Sequence, residues 1–468
     1  MAIESDRKSR YYQKIVDLDD YRSPYEHDYD RIIYSSYLRR LASVTQIFNP
    51  SEGVIFHNRL THTIKVSQIA NRIAQRILAK PENIKDCENV GGLDRDVVCA
   101  AALAHDLGNP PFGHAAEFIL DKIIKDEENI VDGFEGNAQS FRIVTTLASH
   151  DEDYPGLDLT RATLNSILKY PFKRDDKEQR KFGFYSTEAL YFDFARELTP
   201  NRPNKKSLEA SIMDISDDIS YATHDLLDLI RQGLNPFKQL FEESKTLEYY
   251  GEEKFKNIRG ISNFSRIFEI IDTLAKNDYH EEWAPNWKRD RALIISKVTS
   301  FFNKFNLLIP DSPYSGFKTE KVQLKGLEDN FLTRFLENIE INFHPKKDEP
   351  VLYLNDKAAD ELIIIKAITK SYIINSSSLI KQQCGEKRII GEIYFAFKKA
   401  IDDKDLRIIL PARIREDLII KDIKDSNDPQ AIRLIADAIS SLTDAEAFST
   451  YYVLTGIQPG SIFDRISL

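Results

Sequence analysis

The chain has 468 residues, 42% of them hydrophobic and 29% charged, a composition typical of a folded globular protein with one large core or two domains. Its net charge of −10 argues against a general nucleic-acid-binding surface, although a local basic groove stays open. The charged start lacks an apolar signal segment, and no apolar run is long enough for a membrane span. The three cysteines show no CxxC spacing, which favours reduced thiols. We therefore expect a cytoplasmic protein that does not act at a membrane.

Helix signals dominate along the chain. Ser23-Pro24-Tyr25-Glu26 is a capping box with proline at the first helical position, and it predicts a helix through Tyr34 and Leu41. Two later helices are predicted from about Ser207 to Ile230, with Gly233 as the stop, and from about Lys357 to Ile374. Two more are predicted to begin at Asp428-Pro429 and at Thr443-Asp444-Ala445-Glu446. Composition predicts loops at 172–183, 309–326 and 344–350. Val351–Leu354 is a weak strand candidate, so we predict an all-α fold with at most a small β element.

The pair His105-Asp106 is the strongest single signal. The preceding run, Val97–Ala104, is apolar on every face and predicts a helix buried all round, while Gly108-Asn109-Pro110-Pro111 breaks it immediately afterwards. Two polar groups carried into a core cost several kcal/mol unless they are satisfied, on the order of 2–7 kcal/mol each. A divalent cation satisfies neutral imidazole and carboxylate together. The pair therefore indicates a metal site.

The histidine distribution agrees with a metal site. The chain has 9 histidines, and four of them (His57, His62, His105 and His114) fall within a stretch where about one is expected. For any single one, a core histidine bonded to a backbone carbonyl would be the better interpretation. For the set in this order we favour metal binding.

Basic residues flank His62. Arg59 lies three positions before it and Lys65 three positions after it, so all three can share a helix face. Arginine grips phosphate oxygens through two parallel hydrogen bonds, which suits a phosphate bound beside a metal. Taken alone, the pattern equally describes an exposed basic helix edge.

Two further sets carry candidate chemistry. His114 and Glu117 follow the Pro/Gly turn and are spaced i and i+3 on the next predicted helix. An imidazole with a carboxylate can position a water molecule, take its proton and protonate a leaving oxygen. The alternative is an ion pair on the protein surface. Asp217, Tyr221 and Asp225 share one face of the helix predicted from Ser207. By itself that acidic face would be a solvated surface.

Together these motifs resemble the HD-superfamily deoxynucleoside triphosphate triphosphohydrolases, the dGTPase-like family. The matching segments are DRIIYS at 30–35, Thr45-Gln46, NRLTHT at 58–63, HDLGNPPFGH at 105–114, FEGNAQ at 134–139 and DDISY at 217–221. HD alone is a weak motif, but HDLGNPPFGH followed by FEGNAQ is highly specific. The resemblance covers about residues 20 to 235 and is weak afterwards, where Lys387–Ile390 is the best remaining match.

The resemblance implies an HD-domain helical fold with a helical C-terminal extension. We expect a catalytic domain at 1–240, with its core at about 55–235, and a mostly helical region at 241–468 that completes the fold and the oligomer contacts.

The resemblance also implies roles for individual residues. His62, His105, Asp106 and Asp217 would bind the metal, and His114 and Glu117 would serve the hydrolytic step. The residues expected to contact substrate are Gln46, Arg59, Asn137, Lys169, Tyr170, Lys181, Tyr221 and Asp225. Two departures from the family pattern stand out: many relatives carry histidine at the position of Gly136, which leaves the general acid open, and lysine at the position of Val44.

The implied reaction is attack of water on the α-phosphorus of a deoxynucleoside triphosphate, with dGTP the first candidate, to give a deoxynucleoside and tripolyphosphate. We expect one divalent ion per active site, Mg²⁺ or Mn²⁺ first, with Fe²⁺, Co²⁺ and Zn²⁺ as alternatives. The family implies a homo-oligomer, a tetramer or hexamer, and an allosteric dNTP or single-stranded DNA effector. Two alternatives stay open: another HD-type nucleotide phosphomonoesterase or phosphodiesterase, and a nucleotide- or nucleic-acid-binding regulator with an inert HD site.

Overall fold

A computed structural model describes residues 6–12, 20–46, 57–175, 179–232, 236–258, 266–275, 282–305, 314–374 and 377–457. Its helices are α1 (Pro24–Ile33), α2 (Ser36–Arg40), α3 (Arg59–Leu78), α4 (Pro81–Glu88), α5 (Arg95–Ala104), α6 (His114–Lys122), α7 (Gly136–Arg142), α8 (Arg161–Ile167), α9 (Ala189–Arg196), α10 (Leu208–Arg231), α11 (Phe237–Lys256), α12 (Arg266–Ala275), α13 (Arg291–Phe305), α14 (Lys318–Glu337), α15 (Asp356–Thr369), α16 (Ser377–Asp402), α17 (Ala412–Ile420), α18 (Pro429–Ser441) and α19 (Asp444–Thr455). Strands β1 (Ile339–Ile341) and β2 (Leu352–Leu354) pair antiparallel. The predicted all-α class with a small β element is confirmed. Within the described ranges, none of the helices combines the length and apolarity needed to cross a membrane.

The chain divides into two compact units. The first comprises residues 1–216, 346–348 and 381–468, and the second comprises 217–345 and 349–380. The division falls inside α10, between Ser216 and Asp217. The last segment of the chain thus belongs to the first unit. The expected domain boundary near residue 240 divides the chain into an N-terminal and a C-terminal part, and it stays a prediction.

Several local signals act as the sequence indicates. The Ser23 side chain accepts from the backbone N–H of Glu26, whose carboxylate accepts from the N–H of Ser23 at 2.6 Å, so the capping box is formed. The helix predicted through Leu41 is interrupted, because Ser35 caps a new helix, α2, at the N–H of Tyr37. The starts of α18 and α19, and the span of α10, agree with the prediction; the predicted stop at Gly233 lies outside the described residues.

One loop prediction is wrong. Residues 309–326 were expected to form a loop; 309–313 lie outside the described residues and 314–317 are non-helical, but α14 starts at Lys318 and includes Gly326. The Glu320 carboxylate accepts from the N–H of Phe317 at 3.0 Å, which caps the first turn of α14. Leu324 and Leu327 are buried, so tertiary packing outweighs the weak helix propensity of this segment.

Helix α5 lies at the centre of the first unit. All residues from Val97 to Ala104 are buried, as the apolar run predicts, and α5 packs against α1, α3 and α8. Because α5 is enclosed, its C-terminal end delivers His105 and Asp106 to a fixed place in the core. The neighbouring α3 delivers His62 from its first turn.

The C-terminal helices share a hydrophobic core with α6 and the residues that follow it. Leu120 and Ile124 belong to one cluster with Tyr394 of α16 and Ile435 of α18. A buried ion pair reinforces this packing, since Arg142 at the end of α7 binds Asp437 of α18 at 2.8 Å. The helices after residue 380 are therefore part of the body that carries the candidate site.

Candidate metal centre and its surroundings

His62 and His105 lie side by side in the core of the first unit. Their side chains are 1% and 4% exposed, and the ring centroids are 5.8 Å apart. The Nδ1 atom of His105 lies 2.7 Å from the carbonyl oxygen of Ala102, so Nδ1 carries the proton and Nε2 carries the lone pair. Such a second hydrogen bond orients a histidine that ligates a metal.

A carboxylate completes a group that could hold a metal ion. One ligand atom each from His62, His105 and Asp217 lies within 4.8 Å of the other two. Asp217 is half-buried and lies on α10, the helix that begins at Leu208. Two imidazoles with carboxylate oxygen suit a divalent transition ion or Mg²⁺, so the donor set fits the predicted cofactor class.

Asp106 stands next to this group and is already held by two neighbours. Its Oδ1 lies 3.5 Å from Nε2 of His105 and accepts from Nδ2 of Asn109 at 2.6 Å. Its Oδ2 accepts from Nη1 of Arg59 at 2.7 Å. A carboxylate has about four lone-pair sites, so these contacts leave capacity for a metal ligand bond. Asp106 is thus oriented by Arg59 and Asn109.

The turn after Asp106 is packed directly on α7. A Cβ added at Gly108 would lie 2.3 Å from the carbonyl oxygen of Gly136 and 2.3 Å from the backbone nitrogen of Ser140. The N–H of Gly108 donates to the Ser140 hydroxyl, which lies 2.9 Å from the carbonyl oxygen of His105. The two motifs HDLGNPPFGH and FEGNAQ are therefore in backbone contact, which requires glycine at position 108.

His114 and Glu117 form the predicted pair on α6. His114 Nδ1 donates to Glu117 Oε2 at 2.8 Å, and the histidine side chain is 74% exposed while Glu117 is buried. The Lys181 ammonium donates both to Glu117 Oε1 and to Glu135 Oε1, each at 2.9 Å. The pair thus has an exposed imidazole, able to meet a ligand, backed by a buried carboxylate.

The two carboxyl groups that bind Lys181 have pKa values shifted in opposite directions. Burial alone would raise the pKa of Glu117, but the Lys181 ammonium and the hydrogen bond from His114 outweigh it, so this pKa lies below its usual range. Burial raises the pKa of Glu135, with the Glu117 charge adding to the rise and Lys181 opposing it. Glu117 therefore stays ionised near neutral pH, as an acceptor for the His114 proton must.

Three of the predicted substrate contacts, Arg59, Lys169 and Asn137, have hydrogen-bond or ion-pair partners within the chain. The buried Arg59 also donates from Nε to the carbonyl oxygen of Thr45 at 3.2 Å. Nζ of Lys169 lies 3.0 Å from Asp214 Oδ1. Asn137 donates from Nδ2 to Glu135 Oε1 at 2.8 Å. These side chains are ordered by their own neighbours.

The other four predicted contacts are Gln46, Tyr170, Tyr221 and Asp225. Gln46 and Tyr170 are half-buried, and burial raises the pKa of the Tyr170 phenol. On α10, burial and the Asp228 carboxylate raise the pKa of Asp225 well above its usual value, against the hydrogen bond from Tyr221. Tyr221 and Asp225 are therefore directly coupled, as their i, i+4 spacing predicts.

Two residues of the site were missed by the sequence analysis. Asn109 binds Asp106, and Glu135 both accepts from Lys181 and caps α7 through the N–H groups of Asn137 and Ala138. Both lie inside the quoted motifs, so the signal was present. What the sequence lacks is the direction in which each side chain points.

The comparisons with known proteins agree with this geometry. The HD domain model matches residues 59–222, and the phosphohydrolase-associated domain model matches residues 352–452. A protein from Wolinella succinogenes named deoxyguanosinetriphosphate triphosphohydrolase-like protein is 40% identical over 262 residues, which cover 55% of this chain and 64% of the relative. The chain thus contains an HD domain match and is similar to proteins of the HD-superfamily dGTPase-like family.

Other dGTPase-like relatives align over nearly the whole chain. A Mesorhizobium japonicum protein named deoxyguanosinetriphosphate triphosphohydrolase-like protein 2 is 28% identical across 95% of this chain and 96% of its own length. A Streptomyces coelicolor dGTPase-like protein is 26% identical across 93% of both chains. The HD domain match and these relatives support a metal-dependent hydrolase of the HD phosphohydrolase type.

Proposed function

We propose that this protein hydrolyses a deoxynucleoside triphosphate, dGTP first among the candidates, to the deoxynucleoside and tripolyphosphate. The observation that carries the proposal is the grouping of His62, His105 and Asp217 within the matched HD domain, which also contains the His114–Glu117 pair. The names of the dGTPase-like relatives supply the substrate class.

In this proposal four residues hold the divalent ion: His62, His105, Asp106 and Asp217. A bound divalent ion would act as a Lewis acid toward a phosphoryl oxygen. Mg²⁺ and Mn²⁺ are the first candidates, and Fe²⁺, Co²⁺ and Zn²⁺ remain alternatives, because imidazole and carboxylate donors suit them all.

The proton movements are assigned to α6. Glu117, ionised and held by Lys181, orients the His114 imidazole through Nδ1. The other ring nitrogen, Nε2, can then take a proton from the attacking water or give one to the leaving oxygen. Arg59 and Lys181 would neutralise charge on the leaving tripolyphosphate, because displacement at phosphorus depends largely on positioning and charge stabilisation.

The substrate and products are tested together. The purified protein is incubated with each dNTP and each candidate metal, with and without a second dNTP, and the products are separated by ion-exchange chromatography. We expect deoxyguanosine and tripolyphosphate. Orthophosphate released from a nucleoside monophosphate, or opening of a cyclic nucleotide, would instead support the HD-type phosphomonoesterase or phosphodiesterase. Tight binding of single-stranded DNA without turnover would support an inert regulator.

The role of Asp106 is tested by Asp106→Ala. We expect loss of both metal retention and hydrolysis, because the variant removes a ligand and leaves the Arg59 guanidinium without its 2.7 Å partner. Asp132→Ala is the matched control, since this carboxylate binds only the exposed Ser186 among the contacts described. Normal turnover by Asp106→Ala would contradict the assignment.

Sugar discrimination is assigned to Tyr221. A ring stacked below the sugar would leave little space for a 2′-hydroxyl and so prefer deoxyribose. The matched pair is Tyr221→Ala, which removes the ring, and Tyr221→Phe, which removes only the hydroxyl that binds Asp225. We expect Tyr221→Phe to keep discrimination against GTP and Tyr221→Ala to lose it. Full discrimination by Tyr221→Ala would refute the idea.

Five further substrate contacts are proposed from the family resemblance: Gln46, Asn137, Lys169, Tyr170 and Asp225. A tetramer or hexamer, an allosteric dNTP or single-stranded DNA effector, and a cytoplasmic location likewise remain predictions. Size-exclusion chromatography with light scattering, run with and without dNTP, measures the assembly.

A further inference from the structure

The first turn of α19 contacts the turn that follows the HD pair, 332 positions earlier in the chain. Asp444 Oδ1 accepts from the backbone N–H of Phe112 at 2.9 Å, and the Phe112 ring packs edge-on against Phe448 with the centroids 4.9 Å apart. Phe112 has a φ of +62°, a conformation that costs a non-glycine residue about 1–3 kcal/mol. Helix α19 therefore holds a strained residue of the metal-site turn in place.

The same carboxylate holds a second segment. Asp444 Oδ2 accepts from the backbone N–H of Thr45 at 3.0 Å and also from the Thr45 hydroxyl. The Thr45 carbonyl accepts from Arg59 Nε at 3.2 Å, and Arg59 Nη1 donates to Asp106 Oδ2 at 2.7 Å. Hydrogen bonds thus run without interruption from Asp444 to Asp106.

Burial makes this connection rigid. Asp444 is 3% exposed, Thr45 6% and Arg59 4%, so water has little access to any of the three. Hydrogen bonds to a charged group are stronger than those between neutral groups, and a buried carboxylate is expensive unless donors satisfy it. Asp444 therefore has a strong preference for one arrangement of its three donors.

A second tie joins the same parts of the first unit. The buried Arg40 donates to the carbonyl oxygens of Leu107 at 3.1 Å and Asn109 at 2.5 Å, and also to that of Leu442 at 2.7 Å. The residues just before α19 and the turn after Asp106 are thus joined twice, by Arg40 and by Asp444.

We propose that Asp444 is a positioning residue of the metal centre. It fixes the turn at Phe112 and, through Thr45 and Arg59, the orientation of the Asp106 carboxylate, and it does so from the C-terminal region rather than from the HD motifs. The inference rests on the proposed function only for the role of Asp106 as a ligand.

The test measures metal affinity in the absence of substrate. Asp444→Asn removes the charge and turns one acceptor into a donor that faces an N–H group. We expect the Kd for Mn²⁺, measured by electron paramagnetic resonance of the free ion, to rise by about 10-fold or more, the usual effect of losing a group that orients metal ligands. The matched control is Asp402→Asn, because Asp402 accepts the N–H and hydroxyl of Ser426 at 2.9 and 2.8 Å in the same C-terminal region; its Kd should equal that of the wild type.

Two Thr45 variants separate positioning from simple destabilisation. Thr45→Ser keeps the hydroxyl and should keep the wild-type Kd, whereas Thr45→Val removes it and should weaken Mn²⁺ binding in the same direction as Asp444→Asn. If Asp444→Asn fails to fold by circular dichroism, this Thr45 pair carries the test. A folded Asp444→Asn with wild-type affinity, or equal affinities in the two Thr45 variants when Asp444→Asn is unfolded, would overturn the proposal.

Failure of the proposed function gives a different pattern. A wild type that binds Mn²⁺ tightly, an Asp444→Asn variant that binds it weakly, and no dNTP hydrolysis by either would refute the triphosphohydrolase activity and support the positioning role. A wild type that binds no divalent ion would overturn both.

Discussion

Replacing Gly108 by alanine should damage fold and metal site together. The added Cβ would lie 2.3 Å from two backbone atoms of α7, whereas ordinary contact begins at 3.4 Å, so the two segments would have to separate by 3.4 − 2.3, or about 1.1 Å. Overpacking in a core costs about 1–3 kcal/mol, and we expect the upper end because both opposing atoms are backbone. For a unit or chain of this size, the expected fall in melting temperature is about 3–5 °C.

The same shift would disturb the Ser140 hydroxyl, which touches both Gly108 N–H and the His105 carbonyl. We therefore expect Mn²⁺ affinity to fall about 10-fold, measured by calorimetric titration on the folded fraction. Gly136→Ala is the control, because its Cβ would make only an ordinary 3.4 Å contact with Asn109, and its effect should stay within about 1 kcal/mol. Unchanged melting temperature and Mn²⁺ affinity in Gly108→Ala would refute the close approach of the two motifs.

Three other results are expected. The pKa of Asp214 is lowered to about 2 because the ammonium groups of Lys206 and Lys169 outweigh burial. Ionised Asp214 thus stabilises the fold at pH values above about 3.9, the pKa of this group in the unfolded chain. This contribution, about 2 kcal/mol, is lost as the pH falls to 2. Urea titrations should show this loss of unfolding free energy at acid pH in the wild type and much less of it in Asp214→Asn. Arg142→Met should cost about 3–5 kcal/mol by leaving buried Asp437 and Glu188 without their shared guanidinium partner, and a loss below 1 kcal/mol in thermal unfolding would argue against these ion pairs. Dialysis against a chelator should abolish hydrolysis and lower the melting temperature, with Mn²⁺ restoring both; activity that persists without metal would count against the metal centre.

The part of the structure that could be predicted is the part encoded by local pattern. The apolar run before His105, the capping box at Ser23 and the span of α10 each follow from neighbouring residues. The exception at α14 arose because Pro, Gly and Ser near Lys318 indicate a loop, while burial of one helix face outweighs that tendency.

The candidate site divides in the same way. The type and order of His62, His105 and Asp106 indicate a metal centre, but the long-range contacts, from Arg59 to Asp106 and from Thr45 to Asp444, do not appear in any local pattern. Asp444 looks like an ordinary member of a capping box, since Thr443 and Glu446 do cap α19. Its hydrogen bond with the backbone N–H of Phe112 joins residues more than three hundred positions apart, and periodicity along the chain does not predict such a contact.

The return of residues 381–457 to the unit that contains α5 has a practical consequence for fragments of this protein. A truncation product ending near residue 240 would expose the apolar side of α6 and lack Asp437, one of the two acidic partners of Arg142. Such a piece should aggregate when expressed alone, however complete its HD motifs are. The shortest soluble version will have to keep the chain's final helices, if necessary by joining them to the amino-terminal half through an artificial linker.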